Sequence, residues 1–562
     1  MNLKRITPIF LIILLISACT QQEQDSVAVP EEIKNVPATY QELQAFFLEW
    51  REFLRPDEVN GIPDYSDEAM AQQYDELSDW KNRLDAIDTA GWPVAHQVDW
   101  FLVWAEMNGL EFAHRVKKPW KRDPSFYVWF FSYPTDVPER EASNAWGAVE
   151  YDYYPKPLSA EDADKISHQL RKAPALWEQA RKNLTGNARD LWVLSERSFR
   201  DQSADLEQFS ALMQSEHPDL AAAALEVRDA SEDFADWIAS QSSQKTGQSG
   251  VGKANYSWNL KKVHLLPYTW EEELTLIERE LSRAHSSLRL EENRNRNLPG
   301  WEKIDSPEAY DKAVKEAIDD MMSFFEKEEI LTIVPNMDPA LRERAGTFVE
   351  SDGLRGFFDE VIYRDPMTMR AHHYHWLDLA RMRDEPHPSI IRSTPLQFNI
   401  FDGRAEGMAT GAEEMFMHAG LYEGRPRGRE LVWVMLAQRA ARALGALHQH
   451  GLLTDFDGAT QIASKYTPWG LLPADGGTIQ VEEHFYLTQP AYGTSYVIGK
   501  IEIEKLLAEY ARQREGQYSL REFFDEFNSK GVIPVSLIYW EMTGDRSMLD
   551  KALTESKLED LE

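Results

Sequence analysis

PMTMRAHHYHWLDLARMRDEPHPSIIRSTPLQFNIFDGRAEGMATGAEEMFM (Pro366–Met417) is the stretch from which both fold and chemistry are read. Its spacing predicts two helices, 369–383 and 403–419, with a connector punctuated by Pro386, Pro388 and Pro395. Proline lacks the N–H a helix ladder needs, so the break falls there. The first part carries four of the chain's 14 histidines, His372, His373, His375 and His387. The second helix carries Glu406, Glu413 and Glu414. Imidazoles on one helix facing carboxylates on the next suit a metal centre or an acid–base pair.

Within the second helix, Glu406, Thr410 and Glu413 share one face, at i, i+4 and i+7. Met408, Ala412, Met415, Phe416 and Ala419 form another, expected in the core. Glycine inside a helix costs ~1 kcal/mol relative to alanine. Gly407 and Gly411 therefore need a reason, and close approach of another helix or a ligand supplies one. Glu406, between Ala405 and Gly407, is expected to be buried and functional; a solvated acidic face is the plainer alternative. The three histidines at 372–375, beside Trp376, are metal ligands or ordinary hydrogen-bonding core residues. His387 between two prolines, His484 beside Glu482 and Glu483, and Arg404 are candidate substrate contacts. Arg404 equally suits a structural carboxylate partner.

Working outward, helix periodicity dominates the chain. TYQELQAFFLEWREFLRP opens with a Thr39–Glu42 capping box, and Thr269 with Glu272 forms another. SFYVWFFSYP (125–134) breaks the rhythm as a β-like or irregular buried crossover, with a substrate wall as the alternative. SQSSQKTGQSGVGKANYS (240–257) reads as a linker or flap. The expected organisation is a signal peptide at 1–18, a lipidated start and tether at 19–38, an N-terminal helical lobe at 39–240, a linker or flap at 241–257, and a C-terminal lobe with the site at 258–562. The fold class is mainly α, with two helical lobes around a cleft and little β.

Lys4 and Arg5 precede the apolar run IFLIILLISA, which ends at the only cysteine, Cys19. This is a secretory signal, shorter than the ~20 apolar residues of a spanning helix. ISAC resembles a bacterial lipobox, in which Cys19 becomes the lipidated N-terminus, and Thr20 rather than Asp leans toward the outer membrane. With no second cysteine there is no intramolecular disulfide and no thiolate metal site, so His, Asp and Glu must supply any ligands. A net charge of −34 disfavours nucleic acid and offers no polybasic membrane patch. Membrane attachment is thus expected through the lipid alone.

Four segments, VGKANYSWNLKKVHLLPYTWEEEL (251–274), RAEGMATGAEEMF (404–416), LHQHGLLTDFDGATQIASKY (447–466) and QPAYGTSYVIGK (489–500), resemble in order those of the bacterial domain-of-unknown-function family eight-eight-five. The resemblance implies a helical, gluzincin-like zinc-peptidase architecture. It implies a zinc ion held by His372, His373 or His375 with Glu406, and Tyr496 steadying a carbonyl oxygen. Glu406 falls where the family's Glu-Gly-Trp-Ala helix has its ligand, and His372 or His373 where its His-Glu-x-x-Pro-Gly-His segment ends. The first His-Glu pair is missing near Pro366–Met367, and Met408 replaces the tryptophan. The implied activity is a lipid-anchored hydrolase of peptides or other amide-containing envelope material, with Glu406, Tyr496 and Glu413 catalytic. The alternatives are a catalytically inactive peptidase-like binding protein, and a helical glycan lyase or glycosidase using Tyr, His or paired carboxylates.

Overall fold

Amphipathic periodicity from Ala38 to Leu553 becomes 24 α-helices and four two-residue strands in the computed structural model. The structure describes residues 38–554 apart from 141, 142, 303 and 352. The protein is mainly α. The signal peptide, Cys19 and the tether up to residue 37 lie outside the described residues. Among the described residues no helix is long and apolar enough to cross a membrane.

Ten helices build and support the region around 366–417. They are α1 (Val94–Phe112), α2 (Arg189–Met213), α3 (Pro218–Ser242), α4 (Trp270–Asn295), α5 (Met367–His372), α6 (Tyr374–Asp384), α7 (Asp402–Ala419), α8 (Gly428–His450), α9 (Gly477–Thr488) and α10 (Tyr492–Arg514). The α4 capping box forms as its sequence implies, Thr269 and Glu272 each satisfying the other's backbone. Thr39 does not cap: the first helix already includes Ala38, and Thr39 Oγ1 accepts from Trp92 Nε1 at 3.1 Å.

α7 lies against α10, and two glycines set how closely. A Cβ on Gly407 would stand 2.4 Å from the Gly499 carbonyl carbon, and one on Gly499 would stand 2.0 Å from the Gly403 carbonyl oxygen. The helix-interior cost of Gly407 thus has its explanation in a backbone-to-backbone crossing. Gly411 is different, since a Cβ there meets only the flexible tip of Met415, at 2.9 Å.

Apolar packing does not divide at residues 241–257. One core joins Trp50, Leu102 and Phe112 to Trp270, Leu444 and Ile498. A second, drawn entirely from positions 62–238, centres on Trp129, Trp177, Phe199 and Phe234. The first helices of the chain are therefore built into the C-terminal body, through the buried Arg392–Asp99 ion pair (2.6 Å) among other contacts. The Ser- and Gly-rich segment between α3 and the helix Lys253–Lys262 is pinned at several points. Ser249 Oγ accepts from Asp190 N (2.9 Å), Asn187 Oδ1 accepts from Thr246 N (2.7 Å), and Gly252 N donates to the His450 carbonyl (2.9 Å). Its composition suits these backbone bonds as well as it suits a linker.

Candidate metal centre

The first predicted helix is two helices, because the chain turns at His373. That break turns the His372 and His375 rings edge to face, centroids 5.1 Å apart. Glu406, on α7, meets them: its Oε2 lies 3.1 Å from His375 Nε2. Its other oxygen, Oε1, accepts from Tyr492 Oη at 2.6 Å. Asp136 arrives from the aromatic segment of the N-terminal half, with Oδ2 4.0 Å from His375 Nε2. Asp136, His372 and His375 bring one ligand atom each within 4.8 Å of one another, the one such group among the described residues. Glu406 and His375 are almost fully buried, while the Asp136 side chain is 32% exposed.

Charge at the centre follows from this placement. Burial works against protonation of His375, but Asp136 and Glu406 outweigh it and push the imidazole up to about 9. Burial would raise Glu406, yet His375 and the Tyr492 hydrogen bond bring it below the ordinary carboxylate range. His372 is held neutral, first by burial and then by the neighbouring Arg439 and His375. Arg439 forks onto Glu413, both bonds 2.8 Å, and its second amino group reaches His372 Nδ1 at 3.0 Å. Glu413 Oε1 stands 3.4 Å from the same nitrogen.

The donor set fits a divalent cation of the zinc type: two imidazoles and a carboxylate, with a second carboxylate alongside. Two acidic groups facing one histidine call for positive charge, and in the metal-free protein the His375 proton supplies it. Arg439 can only donate, so His372 Nδ1 is the acceptor in their contact and the ring proton sits on Nε2; ligation by Nε2 would require that proton to leave.

Several expected residues stand elsewhere. His373 lies at the helix break and is not among the residues whose ligand atoms converge, so Asp136 takes its place in the candidate ligand set. Arg404 is fully buried in a bidentate pair with Asp378 (2.9 and 3.1 Å) and also donates to Asn528, a structural carboxylate pairing away from the centre. His387 accepts from Ser389 N (3.0 Å) in the region of Asp99 and Arg392. His484 lines a different cavity with Arg197. Glu413 is committed to Arg439 and supports the centre from behind. The segment QPAYGTSYVIGK (489–500) is helical from Tyr492 onward. Tyr496 packs its ring 5.8 Å from that of Tyr492 and 5.2 Å from the Arg442 guanidinium carbon. Tyr492, one helical turn earlier, is the tyrosine that bonds Glu406. Sequence reasoning missed Tyr492, Asp136 and Arg439. The i, i+4 spacing of Tyr492 and Tyr496 on one face was the available signal for the first. For Asp136 no local pattern offered one.

The model of the family described as "Bacterial protein of unknown function (DUF885)" matches residues 51–336, just over half the chain. That range includes Asp136 and segment 251–274; the other three quoted segments, with His372, His375, Glu406 and Tyr492, lie beyond it. No curated protein matches the sequence. Two solved structures share the fold. One is a "putative lipoprotein of unknown function" from Shewanella oneidensis, with TM-score 0.64 and 14% identity over 90% of this chain and 100% of that one. The other, from Colwellia psychrerythraea and also described as a lipoprotein, gives TM-score 0.64 and 14% identity over 92% of this chain and 100% of its own.

Proposed function

The chain belongs to the DUF885 family of bacterial proteins, and from that premise we propose that it is a lipid-anchored, metal-dependent hydrolase of peptides or other amide-containing envelope material. The observation that carries the reading is the convergence of Asp136, His372 and His375 beside Glu406. The lipid anchor rests on the Cys19 lipobox and on the lipoprotein descriptions of the two structural neighbours.

A zinc ion held by Asp136, His372 and His375 would supply Lewis-acid polarisation of an amide carbonyl. The other roles belong to the chain. With the metal bound, His375 would be the neutral imidazole, and Glu406 Oε2 would be free to take a proton from the attacking water as general base and return it to the leaving amine nitrogen. Tyr492 holds Oε1 and so orients that carboxylate. Glu413 fixes the Arg439 guanidinium that meets His372 Nδ1.

A second reading, a peptidase-like protein that binds without cleaving, is favoured by one observation: Glu406 is already satisfied by His375 and Tyr492. Hydrolysis of a peptide library by the zinc-loaded protein separates the two. Glu406→Gln is expected to lower kcat by about a hundredfold or more while zinc stays bound. Activity unchanged in that variant would remove Glu406 from the chemistry, and no cleavage by the zinc-loaded wild type would favour the binding protein.

A further inference from the structure

A second cavity, of about 360 Å³, lies between the C-terminal end of α1 and the turn leading into α7. Small-molecule sites run from ~300 to 1,000 Å³. None of Asp136, His372, His375 and Glu406 lines it, although Asp402 stands one helical turn before Glu406 on α7 and feels its charge. Trp120, Phe126, Trp146 and Phe398 give it an aromatic wall, and Asp402, Gln489 and Lys117 a polar one.

The polar groups are unspent. Asp402 is 1% exposed, and neither of its carboxylate oxygens has a hydrogen-bond partner among the described residues. The Gln489 amide nitrogen is also buried and unpartnered, while its carbonyl accepts from Asn399. Lys117 donates to Ser143 Oγ at 2.9 Å, and an ammonium has two further protons to give. Buried polar groups are nearly always hydrogen-bonded, so an orphaned carboxylate facing a cavity points to a ligand.

The backbone around the cavity is shaped with effort. Phe398 (φ 61°), Asn399 (φ 55°) and Ala491 (φ 84°) occupy the left-handed region, where residues other than glycine are uncommon. The Phe398 ring enters the space a Cβ on Gly109 would take, its Cγ 2.4 Å from that position. Lys117 closes a π-helical turn (Ala113–Lys117), a feature frequent at functional sites. Strain of this kind gathers at ligand clamps.

We propose that this cavity binds a small molecule with an aromatic body and a primary ammonium, the ammonium held by Asp402 and an adjacent carbonyl oxygen by Gln489 and Lys117. The amino-terminal aromatic residue of a short peptide has that chemistry. The inference goes beyond the hydrolase reading and stands without it.

Isothermal titration of the whole chain, kept in EDTA so that the metal centre takes no part, tests it. The probe is L-phenylalanine amide, and N-acetyl-L-phenylalanine amide, which lacks the charge, is the control. Saturable binding of the probe is expected, weakened at least about tenfold by acetylation and by Asp402→Asn. Trp146→Ala should weaken it severalfold; Trp146 is 39% exposed, so this variant reads out the site if Asp402→Asn does not fold. Absence of saturable probe binding, equal affinity for the two compounds, or variants that bind as the wild type does would each overturn the proposal.

Discussion

His375 stands between two carboxylates, and its charge follows from that position more than from its own chemistry. Its proton is retained up to about pH 9 in the folded, metal-free chain, against about 6.5 for an unfolded histidine. A raised folded pKa stabilises fully below the unfolded value and is lost as pH rises through the folded one. Metal-free protein should therefore lose stability between about pH 6.5 and 9, by on the order of 3 kcal/mol. Thermal unfolding in EDTA checks this against His375→Gln, which should lack that component; equal losses in both proteins would show that the proton resides elsewhere. The burial of Glu406 was legible at this scale, because a carboxylate flanked by Ala405 and Gly407 sits where close packing is possible. Asp136 was not: it lies more than 230 positions before its partners, and no local pattern encodes a tertiary meeting of that kind.

At the scale of elements, the crossing of α7 and α10 brings Tyr492 to Glu406, and Gly407 with Gly499 allows it. Gly407→Ala would drive a methyl into backbone at 2.4 Å, which cannot swing aside, and should cost about 3 kcal/mol. Gly411→Ala on the same helix meets only the Met415 methyl group and recovers helix propensity of ~1 kcal/mol, so it should be close to neutral or stabilising. Urea denaturation of the pair gives the comparison, and similar losses in both would mean that the crossing does not depend on close backbone approach. The helix around 403–419 was readable from apolar period and proline, and so was the helical character of 369–383, but not its break at His373. The helix beginning at Tyr492 was not, since Pro490, Gly493 and Gly499 look like loop punctuation. Their actual roles are a helix entry and close packing, which only the partner helix reveals.

Across the whole molecule, the first helices and the C-terminal body share one core, and the Arg392–Asp99 pair is buried where they meet. Arg392 also donates to the backbone carbonyls of Ala95 (2.8 Å) and Lys530 (3.1 Å). Arg392→Ala leaves a buried carboxylate unpaired and should cost about 3–5 kcal/mol, seen as a lower midpoint of a transition common to both parts. Two separate transitions, only one of them shifted, would contradict that shared core. Mainly α architecture was evident from composition and periodicity; the true course of the core was not, because a polar, Gly-rich segment reads as a linker whether or not tertiary hydrogen bonds pin it. The candidate metal centre belongs to this scale too, since the group that could hold an ion joins Asp136 in the N-terminal half to His372 and His375 in the C-terminal half. Zinc content of the purified chain, measured by elemental mass spectrometry after loading and dialysis, tests it most directly. About one zinc per wild-type chain is expected, with most of it lost in Asp136→Ala and in His375→Ala; a wild type that retains none, or variants that retain as much, would contradict it.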